Sequence, residues 1–229
     1  MSKSNKYFII SSILFCLFIL FTIAIKFVGV KAVGPNGSEI GFADLNKSFF
    51  DSIGTNNGAK IVSELIGYFS IVCALFFVGL LIFQWIKRKS FKLIDKNLIV
   101  FCVMCMILAC FYIFFEVVKI NYRPIIVDGE LKASYPSSHT MLICCLLVFC
   151  MLNFKFYVQN AKIRYTLYAC FGGLAVVGTI CRLYSGMHWL TDIFAGIILS
   201  GALCFLFVGI LNLISEKIIE KSEEYKKSF

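Results

Sequence analysis

The chain contains two histidines, and each lies in a short polar cluster near an arginine. His139 ends the run Tyr-Pro-Ser-Ser-His and follows Arg123 along the chain, whereas His188 lies between Arg182 and Asp192. Both clusters are predicted at the outer mouths of membrane spans, where ionisable side chains are costly and usually functional. They are the first candidates for a reactive site.

The second cluster has the parts of an activated nucleophile. If a helix has begun by His188, Asp192 shares its face, because residues four apart lie above one another. A carboxylate that accepts a hydrogen bond from one ring nitrogen fixes the tautomer and leaves the lone pair of the other nitrogen free. Gly196 and Ser200 continue this face at four-residue steps, so we expect it to pack against another helix.

The first cluster supplies groups that bind an oxyanion. Ser137 is a suitable N-cap for a helix that begins at Ser138, and free backbone N–H groups at a helix start attract anions. Arg123 and Arg182 add planar, permanently charged donors. One histidine that attacks, a second that protonates, two arginines and a helix N-terminus together predict a phosphate site.

In this order and spacing, the residues resemble the type-2 phosphatidic acid phosphatase superfamily, integral membrane lipid phosphatases that share their active site with vanadium haloperoxidases. The family motifs read Lys-x6-Arg-Pro, Pro-Ser-Gly-His and Ser-Arg-x5-His-x3-Asp. The third is present with both internal spacings at Arg182, His188 and Asp192. The second appears as Pro-Ser-Ser-His ending at His139, and the first keeps Arg-Pro at Arg123.

Three positions depart from the family motifs. Cys181 replaces a serine and loses a hydroxyl donor, and Ser138 replaces a glycine without removing the backbone N–H. Glu116 occupies the position of the motif lysine, where a carboxylate would repel phosphate. Lys119 lies three residues later on the same helical face and would either pair with Glu116 or take over the role of the lysine. The alternative is that nothing replaces it.

The resemblance implies a role for each matched residue. His188 would attack phosphorus and form a phosphohistidine, Asp192 would orient it, and His139 would protonate the leaving oxygen and then activate water. The groups implied to hold the phosphate are Arg123, Arg182, Ser137 and the backbone N–H of Ser138, with Lys119 as a further candidate. No metal and no cofactor are implied.

The composition indicates which elements must position this site. With 60% hydrophobic residues among 229 and a mean hydropathy of +0.88, the chain is predicted to be an all-α, polytopic membrane bundle. Six apolar stretches are each long enough for a span of about 20 residues: 8–30, 65–86, 98–118, 140–156, 165–181 and 189–214. The fourth is the weakest, because Asn153 and Lys155 interrupt its end. We expect a single domain over residues 1–229.

The net charge of +9 could indicate a nucleic-acid ligand, but the basic residues follow the positive-inside rule. They concentrate in residues 3–6, 87–96, 155–164 and 217–227, which lie on one side of a six-span protein. We therefore predict a multi-pass plasma membrane protein with cytoplasmic termini and an outward-facing site. Its expected partners are the bilayer and a lipid phosphate, with no nucleic acid. Nothing in the sequence indicates an oligomeric state.

An amphipathic helix is predicted in the first outer loop, where Phe42, Leu45, Phe49 and Ile53 recur at helical spacing between charged residues. It would either guard a lateral entrance for lipid or cover the outer end of the bundle. The eleven cysteines fall in or beside the apolar stretches, which is typical of small buried hydrophobes and does not favour a metal site.

The predicted function is therefore that of a lipid phosphatase acting on a phosphate or pyrophosphate monoester. Undecaprenyl pyrophosphate, phosphatidic acid and phosphatidylglycerol phosphate are the candidate substrate types. One alternative is a membrane protein that binds or transports lipid phosphates without hydrolysing them, which Glu116 keeps open. Another is a lipid phosphotransferase that uses the same site with a different acceptor.

Overall fold

The computed structural model of the protein describes residues 2–227 and contains seven α-helices within that range. They are α1 (Lys3–Phe27), α2 (Ala43–Ile53), α3 (Asn57–Arg88), α4 (Lys96–Val117), α5 (Ser138–Tyr157), α6 (Ala161–Tyr184) and α7 (Leu190–Lys227). All except α2 are long and apolar enough to cross a membrane. The predicted six-span helical bundle is confirmed.

The fourth span is intact despite the polar residues near its end. Asn153 is fully buried in α5, and its amide donates to the Phe149 carbonyl at 2.9 Å and accepts from Asn97 of α4 at 3.0 Å. A polar side chain is tolerated at membrane depth when its hydrogen bonds are made inside the protein. Because the span is present, both histidines lie at the same end of the bundle.

The inner helices of the bundle are α5 and α7. Half of the apolar window of each is buried, compared with 17% for α1. Gly196 of α7 lets the two helices approach, because a Cβ there would lie 3.1 Å from the Ser137 carbonyl oxygen. Ser200 bonds back to the Gly196 carbonyl at 2.6 Å. The predicted small-residue face of α7 therefore packs against α5.

The start of α1 contacts the later part of α7 at one end of the bundle. The backbone N–H of Ser4 donates to Glu216 at 3.1 Å, and the Ser4 hydroxyl donates to the same carboxylate. Both histidine clusters lie at the opposite end, at the starts of α5 and α7. That Ser4 and Glu216 lie at the same end of the bundle agrees with an even number of spans. Which compartment each end faces stays a prediction.

The amphipathic helix predicted in the first outer loop is α2. Asn46, on its buried face, donates to Thr191 Oγ1 at 2.9 Å and accepts from the Thr191 backbone N–H at 3.2 Å. The Phe50 ring packs edge-on against Trp189, with 5.6 Å between centroids. These contacts hold α2 against the start of α7. They agree with the alternative in which this helix covers the outer end of the bundle. A lipid entrance beside it stays a prediction.

A short hairpin of residues 120–134 connects α4 to α5. Its arms are joined by isolated β-bridges and by a 2.9 Å bond from the Ser134 N–H to the Asn121 carbonyl. At its tip Asp128 and Gly129 have φ of +55° and +77°, the left-handed pair of a tight hairpin turn. The outgoing arm carries Arg123, and the returning arm carries Ser134 into the bundle.

Candidate active site

His188 lies in the turn between α6 and α7, where only 3% of its surface is exposed. The helix begins at Leu190, two residues after His188, so the condition under which His188 and Asp192 would share a helical face is not met. The Asp192 carboxylate accepts a hydrogen bond from the Trp189 backbone N–H at 3.0 Å. An acidic side chain that reaches back in this way caps a helix, so α7 starts just after Trp189.

The hydrogen bonds of His188 define its tautomer. Nδ1 lies 3.0 Å from the Ser134 carbonyl oxygen, which can only accept, so Nδ1 carries the proton. Nε2 then holds a lone pair and accepts from Arg182 Nη2 at 3.1 Å. Burial, together with the charges of Arg182 and Arg123, keeps the pKa of His188 well below its usual range. The ring is therefore neutral, with the lone pair of a nucleophile at Nε2.

Asp192 does not bond directly to this ring, contrary to expectation. His188 Nδ1 and Asp192 Oδ2 are 3.9 Å apart. The Ser134 hydroxyl stands between them, donating to Asp192 Oδ2 and lying 3.1 Å from Nδ1. Oδ2 also accepts from the Trp189 backbone N–H, so it has two hydrogen-bond donors, and neither of them is His188. Ser134 was missed at the sequence level because it lies outside the three motifs.

Arg182, in the last turn of α6, is 3% exposed and keeps two donors unused. Nη2 bonds to His188, whereas Nε and Nη1 are buried and have no partner among residues 2–227. Buried N–H groups in folded proteins are nearly always hydrogen-bonded. Open donors on a buried, fixed cation beside a nucleophile are the arrangement expected of an oxyanion-binding group.

Arg123 is held by the hairpin, where its Nε donates to the Ala133 carbonyl at 3.1 Å. Burial lowers the pKa of Arg123, and the charges of Glu116 and Asp192 oppose that shift. Glu116, in the position of the motif lysine, is therefore within electrostatic reach of Arg123. It also lines a small cavity with Ser134 and Ser138.

The N-terminus of α5 has the predicted form. Ser137 is the N-cap, and its hydroxyl accepts from the Thr140 backbone N–H at 3.4 Å and from the Thr140 hydroxyl at 3.0 Å. The Ser137 N–H donates to the Asp192 carbonyl at 2.9 Å, which joins the starts of α5 and α7. The backbone N–H of Ser138 has no partner within the described residues and remains available to an anion.

His139 lies in the first turn of α5 and is partly buried. Its side chain makes no hydrogen bond within residues 2–227, and a positive charge on it would lower the pKa of His188. On its other side it packs against α3, where a Cβ at Gly67 would lie 3.1 Å from His139 Nε2. Gly67 thus makes room for the second imidazole, a contact that no sequence motif indicated.

Lys119 lies outside the helix on which it was predicted. Helix α4 ends at Val117, and the Val118 N–H bonds back to the Phe114 carbonyl in an extended conformation. Lys119 therefore lies beyond the helix, and the argument that it shares a helical face with Glu116 is wrong. It is exposed and forms no ion pair in the part of the chain described. Its role as a phosphate ligand stays a prediction.

Within residues 2–227, no three His, Cys, Asp or Glu side chains lie close enough together to hold a metal ion. The charged groups that converge on the site are instead Arg123, Arg182, Asp192 and Glu116. Metal-independent activity stays a prediction.

Comparisons with known proteins agree with this arrangement. The model of the PAP2 superfamily matches residues 114–215, which contain all three motifs. A crystal structure described as the first transmembrane PAP2 type phosphatidylglycerolphosphate phosphatase, from Bacillus subtilis, superposes with a TM-score of 0.58 at 18% identity. The match covers 91% of this chain and 96% of that one, so the two share a fold. No curated protein sequence matches the chain.

Proposed function

We propose, on the basis of the confirmed resemblance of residues 114–215 to the PAP2 superfamily, that this membrane protein is a lipid phosphatase that works through a phosphohistidine. The observation that carries the proposal is the pairing of a neutral, Nε2-unprotonated His188 with the unused donors of buried Arg182. A nucleophile and an anion-binding group are thereby presented to one phosphate.

In the first step the Nε2 lone pair of His188 forms a bond to phosphorus while the bond to the leaving oxygen breaks. The leaving oxygen takes a proton from His139. In the second step His139 removes a proton from water, which attacks phosphorus and releases phosphate and the free imidazole. Arg123, Arg182 and the Ser138 N–H would hold the equatorial oxygens, so catalysis rests mainly on positioning and charge stabilisation.

The substrate is proposed to be a lipid phosphate or pyrophosphate monoester. The site lies at the end of a membrane bundle, where the headgroup of a bilayer lipid would reach it. The named activity of the Bacillus subtilis structure favours phosphatidylglycerol phosphate. Undecaprenyl pyrophosphate and phosphatidic acid are the competitors. A panel of these lipids in detergent, assayed for phosphate release with and without a chelator, ranks them, and activity that needs a divalent ion would contradict the metal-free mechanism.

The decisive variant is His188→Ala. We expect it to abolish both phosphate release and the acid-labile phosphoenzyme that brief exposure to labelled substrate produces. Ser11→Ala is a suitable control, because Ser11 is a buried serine of α1 that bonds only to the Ala202 carbonyl. Near-normal phosphate release from folded, membrane-inserted His188→Ala would refute the mechanism. Substrate binding without turnover by the native protein would favour a binding or transport protein, and phosphate found on a second lipid would favour a transferase.

The orientation is proposed from the distribution of basic residues: cytoplasmic termini and a site that faces outside the plasma membrane. Single cysteines introduced at Glu130, in the hairpin, and Lys92, in the α3–α4 connection, test it on a cysteine-free background. Both positions are exposed. An impermeant reagent should label the first in intact cells and the second only after lysis. The reverse pattern would overturn the orientation and leave the fold unaffected.

A further inference from the structure

The strongest unassigned feature of the molecule is Ser134, a 2% exposed residue that contacts both members of the His188 and Asp192 pair. Its carbonyl oxygen lies 3.0 Å and its hydroxyl 3.1 Å from His188 Nδ1. The same hydroxyl donates to Asp192 Oδ2, which is 3.9 Å from the ring nitrogen. Ser134 is thus the only described residue hydrogen-bonded to both side chains.

The directions of these hydrogen bonds follow from proton counting. A carboxylate oxygen accepts, so the single hydroxyl proton of Ser134 goes to Asp192. Towards the imidazole, the hydroxyl oxygen and the carbonyl oxygen of Ser134 can then only accept. Both face Nδ1, whose one N–H is shared between them. Ser134 therefore requires the proton to be on Nδ1 and the lone pair on Nε2.

The backbone fixes Ser134 in this position. Its N–H bonds to the Asn121 carbonyl across the hairpin at 2.9 Å. The next residue, Tyr135, is buried, and its hydroxyl lies 2.8 Å from Thr22 Oγ1 of α1. The hairpin is thus anchored on both sides of Ser134, and the hydroxyl is held between the two side chains that it joins.

We propose that Ser134 is a positioning residue that relays the negative charge of Asp192 to Nδ1 of His188, an inference that rests on the proposed nucleophilic role of His188. When Nε2 bonds to phosphorus and the bond to the leaving oxygen breaks, positive charge develops on the ring. The proton on Nδ1 stays in place and is stabilised through the Ser134 hydroxyl. When water displaces the histidine, the electron pair returns to Nε2 and the hydrogen bonds are unchanged.

The test begins with Ser134→Ala, which removes the hydroxyl and keeps the carbonyl. We expect kcat and the rate of phosphoenzyme formation to fall about 10- to 100-fold, the equivalent of one lost hydrogen bond to a charged group, with KM nearly unchanged. Ser134→Thr, which retains a hydroxyl, should recover part of the rate. Ser11→Ala is the matched control, because it removes a buried serine hydroxyl outside the site.

A double-mutant cycle with Asp192→Asn shows whether the charge acts through the serine. If it does, the combined variant should be scarcely slower than the slower single variant, because the two residues form one chain. Independent contributions would make the losses multiply. Multiplied losses, or a Ser134→Ala protein with native kcat, would overturn the proposal.

A spectroscopic readout does not depend on any variant at Ser134. The chain has only two histidines, so 15N-labelled His139→Gln protein contains a single labelled imidazole. We expect a protonated Nδ1 and an unprotonated Nε2 near neutral pH, and a shifted Nδ1 resonance in Ser134→Ala. A proton on Nε2 would overturn the proposal even if the Ser134 variants failed to fold. A phosphoenzyme that persists in His188→Ala would instead mean that the proposed function is wrong.

Discussion

The two ends of the bundle hold polar clusters of opposite character. At the end where Ser4 contacts Glu216, the partly exposed Asp95 is bonded by Arg88 and Gln84 at 2.8 Å each and by Tyr157 at 3.2 Å. The amide of Asn97 bonds to Tyr157 as well as to Asn153, at 3.0 Å each. These side chains pair mainly with one another, and their hydrogen bonds join α3, α4 and α5.

At the other end, where the histidines lie, side chains of the same kinds have atoms without a hydrogen-bond partner in the described part of the chain. Five buried side-chain nitrogen or oxygen atoms lack a partner among residues 2–227, and four of them belong to Asn121, Arg182 and Asp192. A polar cluster whose members bond to one another stabilises the fold, whereas a buried one with free donors beside a nucleophile is arranged for a ligand. Composition alone does not separate the two clusters, since both contain an arginine and an aspartate.

The largest effect in this comparison is expected from His139→Ala, at the end of the bundle where buried polar atoms lack partners among the described residues. Loss of a proton-transfer group should slow turnover of a lipid phosphate roughly 10²- to 10⁴-fold. A nitrophenyl phosphate, whose leaving group needs no proton, should lose much less in the phosphorylation step. Rapid-quench measurement of that step with both substrates checks the prediction. An equal loss with both substrates would show that His139 is not the acid.

Matched arginine variants test the comparison directly. Arg182→Ala removes the donors aimed at the site and should reduce kcat about 10²- to 10³-fold, the usual effect of one lost oxyanion donor. Arg88→Ala breaks the ion pair with Asp95 and should leave kcat unchanged. Initial rates corrected for folded protein measure both. Similar losses in the two variants would remove the functional distinction between the two clusters.

The opposite result is expected for Asn97→Ala. It leaves the buried Asn153 carbonyl oxygen without its donor, which should cost about 1–3 kcal/mol of stability. Thermal unfolding in detergent should show a lower midpoint, with native kcat below that temperature. Asn212→Ala is a control, because this amide bonds only to the Val208 carbonyl of its own helix. A reduced kcat in Asn97→Ala would mean that the two ends are coupled.

The smallest effect concerns Glu116, which occupies the position of the motif lysine and whose charge acts on Arg123. Glu116→Gln removes the negative charge, and we expect KM for a lipid phosphate to fall about two- to fivefold, the size of a partly exposed charge interaction. Glu130→Gln, at the exposed hairpin, controls for net charge. Steady-state kinetics in lipid micelles measure both. An unchanged or higher KM would show that Glu116 does not oppose substrate binding.

The sequence predicted the spans and the start of α5 because both depend on local patterns, whereas the grouping of the three motifs into one site was implied by the family resemblance. Apolar stretches are read directly against membrane thickness, and even the doubtful span around Asn153 is present. The N-cap at Ser137 was also predicted from the sequence, since a serine before an apolar helix has a well-defined local role.

What was missed depends on the path of the chain in three dimensions. The start of α7 at Leu190 is set by a side chain that caps it, and the end of α4 at Val117 removes Lys119 from the helical face assumed for it. Ser134 contacts His188 across 54 positions of sequence, because α5 and α6 run to the other end of the bundle and back between them. No spacing rule links such residues, so only the folded backbone reveals the contact.

The two hydrogen bonds between Asn46 and Thr191 also bear on how the outer loop can be exchanged between related proteins. The loop that contains Asn46 supplies the acceptor for the Thr191 backbone N–H in the first turn of α7. The loop therefore cannot be replaced without affecting the start of α7. A chimera that receives a foreign loop would lose the hydrogen bonds that anchor the start of its own α7, unless the new loop brings an amide to the same position.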